Sequence, residues 1–212
     1  IEVMFMTWQK FCPLFLVLCL LAPGCVSPPQ VYPITEDTIY SEDTVDNSIP
    51  EFLNLIAETA ARDIDRGDEM DILLDANGEK TMILWVSTGC SGCHDWTEFI
   101  ANHMRDGNIS NDTRIITVHR YPSFETREEV IDVYATSNKT TESLWPVVIP
   151  VKDQPAIDVE RNNETEMSYS AAFENPATPS LTILDGDGKT VWKNKTYWAN
   201  QSVLDEAIGI LS

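Results

Sequence analysis

Thr81-Met82-Ile83-Leu84-Trp85-Val86-Ser87-Thr88-Gly89-Cys90-Ser91-Gly92-Cys93-His94 is the stretch on which the fold of this chain turns. Thr81 to Val86 is a strand-like apolar stretch. After the cysteines, Trp96, Phe99, Ile100, His103 and Met104 recur at helical spacing. Two thiols with two residues between them, at a strand-to-helix switch, have the geometry of a reversible disulfide. The first sulfur then sits over a helix N-terminus, whose unpaired N–H groups and partial positive charge favour thiolate. A redox protein is the expectation.

The other cysteines sharpen this. Phe11 to Ala22 is an apolar segment behind Lys10, too short to span a bilayer and suited to a cleaved secretion signal. It closes on Leu21-Ala22-Pro23-Gly24-Cys25, which resembles the lipobox of exported lipoproteins, with Pro23 in place of a small residue. Residues 1–24 are thus expected to be a lipoprotein-type signal and Cys25 the lipid-bearing anchor to a membrane. Cys12 and Cys19 would leave with the signal. Cys90 and Cys93 then have only each other, or a client, to pair with, which excludes a structural disulfide framework.

The chain of 212 residues carries a net charge of −20, which repels nucleic acid and argues against it as a partner. Residues 25–48 hold five carboxylates (Glu36, Asp37, Glu42, Asp43, Asp46) among Pro, Ser and Thr, and read as an acidic tether. The folded domain is expected over 49–212. Ser48 and Pro50 look like a helix start, followed by Phe52, Leu55, Ile56, Ala60 and Ile64 on one face. Asp71 to Leu74 and Lys80 to Val86 read as a hairpin around Asn77-Gly78.

Downstream, the pattern predicts a buried strand over 114–119 and a helix over 124–135. An edge strand within 145–151 and a short helix near 166–173 follow. Ser180 to Leu184 and Lys189 to Lys193 form a second hairpin around Asp185-Gly186-Asp187-Gly188, and the last helix runs from about Ser202 to Leu211. Alternating strands and helices call for an α/β domain with a mixed central sheet flanked by helices.

Strand, C-x-x-C, helix, and then Thr178-Pro179 directly before a strand and an Asp-Gly hairpin resemble the thioredoxin superfamily. The resemblance implies a cis peptide at Pro179 lying against the dithiol, with Thr178 offering backbone groups to a client chain. Cys93 and Pro179 are 86 positions apart. The extra segment, within about 121–175, and the N-terminal hairpin are similar to extracytoplasmic, membrane-anchored thiol–disulfide oxidoreductases of the cytochrome-maturation type. Three positions depart from the family pattern. Gly89 replaces a Trp before the first cysteine, Leu84 stands where minimal thioredoxins bury an acid, and Trp96 stands where the anchored reductases often have Glu.

What the resemblance implies is an exported oxidoreductase with protein thiols and disulfides as clients and a membrane or soluble thiol as electron donor. Cys90 attacks as thiolate and Cys93 resolves the mixed disulfide. Trp96 is a candidate client contact, and His94 a candidate to stabilise the thiolate or carry a proton. His103 and His119 read as surface or core residues. No cofactor beyond the Cys90–Cys93 pair and no resident metal are expected. The main alternative is a Cu(I) carrier using both thiolates with His94 or a Met, or a client-binding lipoprotein without catalysis. Cys90 to His94 also spells the c-type haem signature, a weaker reading because Thr178-Pro179 would have no part in it. Asn108, Asn111, Asn138, Asn163, Asn194 and Asn200 each stand in a glycosylation sequon.

Overall fold

A computed structural model describes residues 48–212. The signal, the tether and Cys25 therefore lie outside the described residues. At the centre is β4 (Thr81–Val86), all six residues of which are buried. It pairs in parallel with β5 (Ile115–His119) and antiparallel with β9 (Ser180–Leu184). β6 (Val147–Val148) extends the sheet beyond β5 and β10 (Thr190–Asn194) beyond β9, giving the order β10-β9-β4-β5-β6. The dithiol helix α2 (Ser91–Arg105), the helix α3 (Arg127–Tyr134) and the C-terminal α5 (Gln201–Leu211) match the expected helices closely.

Alternation along β4 sorts the interior into two cores. Met82, Leu84 and Val86 join Trp96, Ile100, Tyr134, Leu204 and both site cysteines in one. Ile83 and Trp85 join Leu55, Ile116, Val118, Tyr169 and Phe173 in the other. The dithiol thus rests on the first core, packed against the central strand.

Two expectations near the N-terminus need correction. Residues 52–64 are not a helix. They form β1 (Leu53–Asn54), β2 (Ile56–Glu58) and a 3-10 turn over Asp63–Asp65. Leu53, Leu55, Ala57 and Thr59 are buried at a period of two, with Asn54 buried beside them, whereas Ile64 of the expected helical face is 44% exposed. Both periods can be drawn through this sequence, and tertiary contact selected the strand. The segment crosses the second face of the sheet. At one end Leu53 N–H donates to the Gly188 carbonyl; at the other Ala60 N–H donates to Val147 and Ile149 N–H to Glu58.

The second correction concerns Asn77-Gly78. It does not turn a hairpin between 71–74 and 80–86. Asp71 caps the short helix α1 (Ile72–Ala76) by accepting the Leu74 N–H, and Asn77 ends it in a left-handed conformation. The N-terminal hairpin is instead β2 with β3 (Glu69–Asp71). The turn signal was real, but it closed a helix.

The expected insertion holds α3, β6 and a unit that sequence periodicity did not reveal. There β7 (Pro155–Asp158) pairs with β1 and with β8 (Asn163–Ser168), ahead of α4 (Tyr169–Ala172). β8 is exposed or half-buried throughout, so its sequence carries no apolar alternation to read.

Candidate active site: the dithiol and its supporting loop

Cys90 ends the loop that leaves β4 and is the N-cap residue of α2, its Sγ accepting the Cys93 N–H at 3.1 Å. The two cysteines are joined by a disulfide, with Cα atoms 5.2 Å apart. Cys90 keeps 8% of its surface exposed and Cys93 none, so the first sulfur is the one a client could reach. The first turn of α2 holds no acidic residue and the last turn holds His103 and Arg105. That polarity leaves the positive end of the helix facing the sulfurs.

The Thr178–Pro179 peptide is cis. It leads into β9, where Ser180 sits opposite Trp85. Continued by one residue, that register sets Pro179 beside the end of β4, where the chain departs toward Cys90. Pro179 itself is buried and Thr178 half-buried. The segment before it is fastened by Arg120, which donates to the Pro176 carbonyl (3.2 Å) and the Asn175 side chain (3.1 Å).

Other groups hold the loop before Cys90. The Tyr134 hydroxyl donates to the Ser87 carbonyl at 2.6 Å. Glu125 accepts the Thr88 N–H at 2.9 Å, and the same oxygen accepts from His119 Nε2 at 2.8 Å. His94 Nε2 donates to the Thr88 carbonyl at 2.8 Å. His94 is thus directed at the backbone of the loop. Sequence reasoning missed Glu125 and Tyr134 and took His119 for a surface or core residue. The parallel pairing of Val86 with His119 brings these strand ends together, and no local motif announces it.

Trp96 also needs correction. It has no exposed surface, and its indole N–H donates to the Thr196 carbonyl at 2.8 Å, so a client cannot contact it. It is core, and it anchors the β10–α5 loop to the dithiol helix. Asp95 does the same by accepting the Ala199 N–H at 2.8 Å. That loop carries Tyr197 and Trp198, which are 46% and 59% exposed with rings 5.0 Å apart. Tyr197 lies directly against Gly92. Phe124, next to Glu125 in the chain, is 86% exposed.

A Cβ built at Gly92 would stand 2.4 Å from the Tyr197 carbonyl oxygen and 3.0 Å from its ring. The first contact is backbone and no rotamer relieves it. Alanine would gain about 1 kcal/mol in helix propensity, against about 1–3 kcal/mol for overpacking. Overpacking should win. Gly92→Ala is expected to lower the melting temperature by a few degrees and to slow disulfide exchange, both readable on one purified sample.

Burial holds the His119 pKa below its ordinary 6.5, the pull of Glu125 notwithstanding. Burial also works to raise Glu125, but the Thr88 N–H and His119 outweigh it, and the net direction is down from 4.5. The pair is therefore a neutral imidazole donating to a carboxylate. For His119, the unfolded chain gains a proton near pH 6.5 that the native state refuses, so stability falls as pH drops below that value. The Glu125 contribution is present above about 4.5 and is lost below it. His119→Gln, which keeps a donor toward Glu125, should flatten the loss between about pH 6.5 and 5 in urea midpoints measured against wild type. Comparing the two proteins cancels the opposite effect of neutralising an acidic surface.

No family model matches the sequence, and no curated protein matches it. Solved structures do. One is a proposed protein disulfide isomerase from Bacteroides thetaiotaomicron, at 15% identity and a TM-score of 0.50, covering 77% of this chain and 86% of that one. Another is the thioredoxin domain of a thiol-disulfide oxidoreductase from Bacteroides vulgatus, at 15% identity and 0.49, covering 77% and 98%. The likeness to the first is one of architecture: this chain has a thioredoxin-like fold.

Proposed function

We propose that the protein is an exported thiol–disulfide oxidoreductase that exchanges disulfides with protein cysteines through Cys90 and Cys93. The observation that carries this reading is the joined cysteine pair at the start of α2, on the sheet end that also bears cis Thr178–Pro179. Cys90, nearer the surface and at the positive helix end, is the attacking sulfur. Cys93, buried one turn further, resolves the mixed disulfide. Thr178 offers backbone groups to the client. Tyr197 and Trp198 supply apolar surface beside the start of the dithiol helix.

Export and lipid attachment at Cys25 rest on the sequence of the first 25 residues. Among the described residues no helix is long and apolar enough to cross a membrane. The copper-carrier reading needs both thiolates and a third ligand. His94, its natural choice, spends Nε2 on the Thr88 carbonyl. Oxidised protein mixed with reduced glutathione and a disulfide-bonded client should be reduced and then reduce the client. Absence of exchange, with stoichiometric Cu(I) uptake by the reduced protein, would replace this function with metal carriage.

A further inference from the structure

The thioredoxin-like dithiol reading leaves redox direction open, because Leu84 and Trp96 stand where acidic groups are found in the family. A carboxylate nevertheless reaches the loop from another element. Glu125, just past β5, receives the Thr88 N–H two residues before Cys90. Ser87 and Cys90 close a tight turn through Cys90 N–H and the Ser87 carbonyl at 3.4 Å, so the span from carboxylate to sulfur is short. The hydrogen bond to Thr88, two Cα–Cα steps of about 3.8 Å and the cysteine side chain together bound it at about 14 Å. His119 fixes the carboxylate from beneath. It is 1% exposed, and among the described residues its buried Nδ1 has no hydrogen-bond partner. A buried histidine that leaves one nitrogen unused has been placed there for the other.

We propose that Glu125, oriented by His119, is the positioning residue of the dithiol loop, and that its negative charge disfavours thiolate at Cys90 and sets the couple toward the reducing end. The inference rests on the function proposed above. The other charged and titratable groups of this neighbourhood are already committed. His94 is bound to Thr88, Asp95 to Ala199, Arg120 to the segment 175–176, and Glu129 to the cap of α3 at Thr126. Burial pushes the hydroxyls of Tyr134 and Tyr169 upward, so both stay neutral. The helix N-terminus favours thiolate; Glu125 opposes it.

The balance is explicit. Two glutathione thiols give two electrons and two protons. The Cys90–Cys93 bond breaks, a glutathione disulfide forms, and both protein sulfurs end as thiols or, at Cys90, as thiolate with that proton released to solvent. Any group that destabilises the thiolate shifts this equilibrium toward the protein disulfide.

Glu125→Gln keeps the size and an acceptor while removing the charge. It should shift the glutathione equilibrium toward the dithiol by about three- to tenfold, and lower the pH midpoint of Cys90 alkylation by about half a unit to one unit. Glu125→Asp, which keeps the charge, should stay within about twofold of wild type. Glu125→Ala reads the same loss of charge should the glutamine variant not fold. A Glu125→Gln protein with intact exchange but wild-type equilibrium and midpoint would overturn this inference and leave the function standing. A wild type that exchanges nothing with glutathione would overturn both.

Discussion

Cys90→Ser is expected to lower disulfide exchange by a factor on the order of a thousand or more, because no other thiol of the domain can start the reaction. The loss should not come from unfolding. Serine is a good N-cap, and its hydroxyl can accept the Cys93 N–H that the sulfur accepts now. Losing a disulfide across so short a loop removes about 2 kcal/mol at most. Cys93→Ser should behave differently. The attack by Cys90 survives, but nothing resolves it, so one-to-one mixed disulfides with the client should accumulate and be visible by intact mass. Wild-type exchange by Cys90→Ser would remove the nucleophile assignment.

Trp85→Ala is the stability counterpart. Trp85 has no exposed surface, donates from its indole to Thr182 Oγ1 at 3.1 Å, and packs against the rings of Tyr169 and Phe173. Truncating a buried tryptophan costs about 3–5 kcal/mol, a large share of the roughly 5–15 kcal/mol that holds an ordinary domain together. At about 2–4 °C per kcal/mol for a chain of this size, the melting temperature should fall by about 10 °C. The site should suffer with it, since the hydroxyl of Tyr169 donates to the carbonyl of His119. A urea midpoint within error of wild type would show that the second core does not depend on this ring.

The parts legible in the sequence were those whose signals are local. β4, α2, the β9–β10 hairpin and α5 each announce themselves by apolar period, caps or a turn dipeptide. The two cysteines could be placed at a helix start because strand and helix abut in the chain. Where two periods fit the same residues, as over 52–64, only contact with the sheet decides. Burial of Leu53, Leu55, Ala57 and Thr59 chose extension. Asn77-Gly78 shows the same limit, since a left-handed residue ends a helix as readily as it turns a hairpin. Glu125 and His119 were not legible at all. They are brought to the loop before Cys90 only because parallel strands lay their ends side by side, with partners 33 residues apart in the chain, as Leu84 is from Thr117.

The extended N-terminal segment has a consequence for solubility. A two-residue border strand such as β6 presents bare amides and carbonyls on its outer side, an invitation to neighbouring molecules. Here residues 58–60 already occupy that side through Glu58 and Ala60. The chain supplies its own guard there, so that border is closed to a strand from a neighbouring molecule.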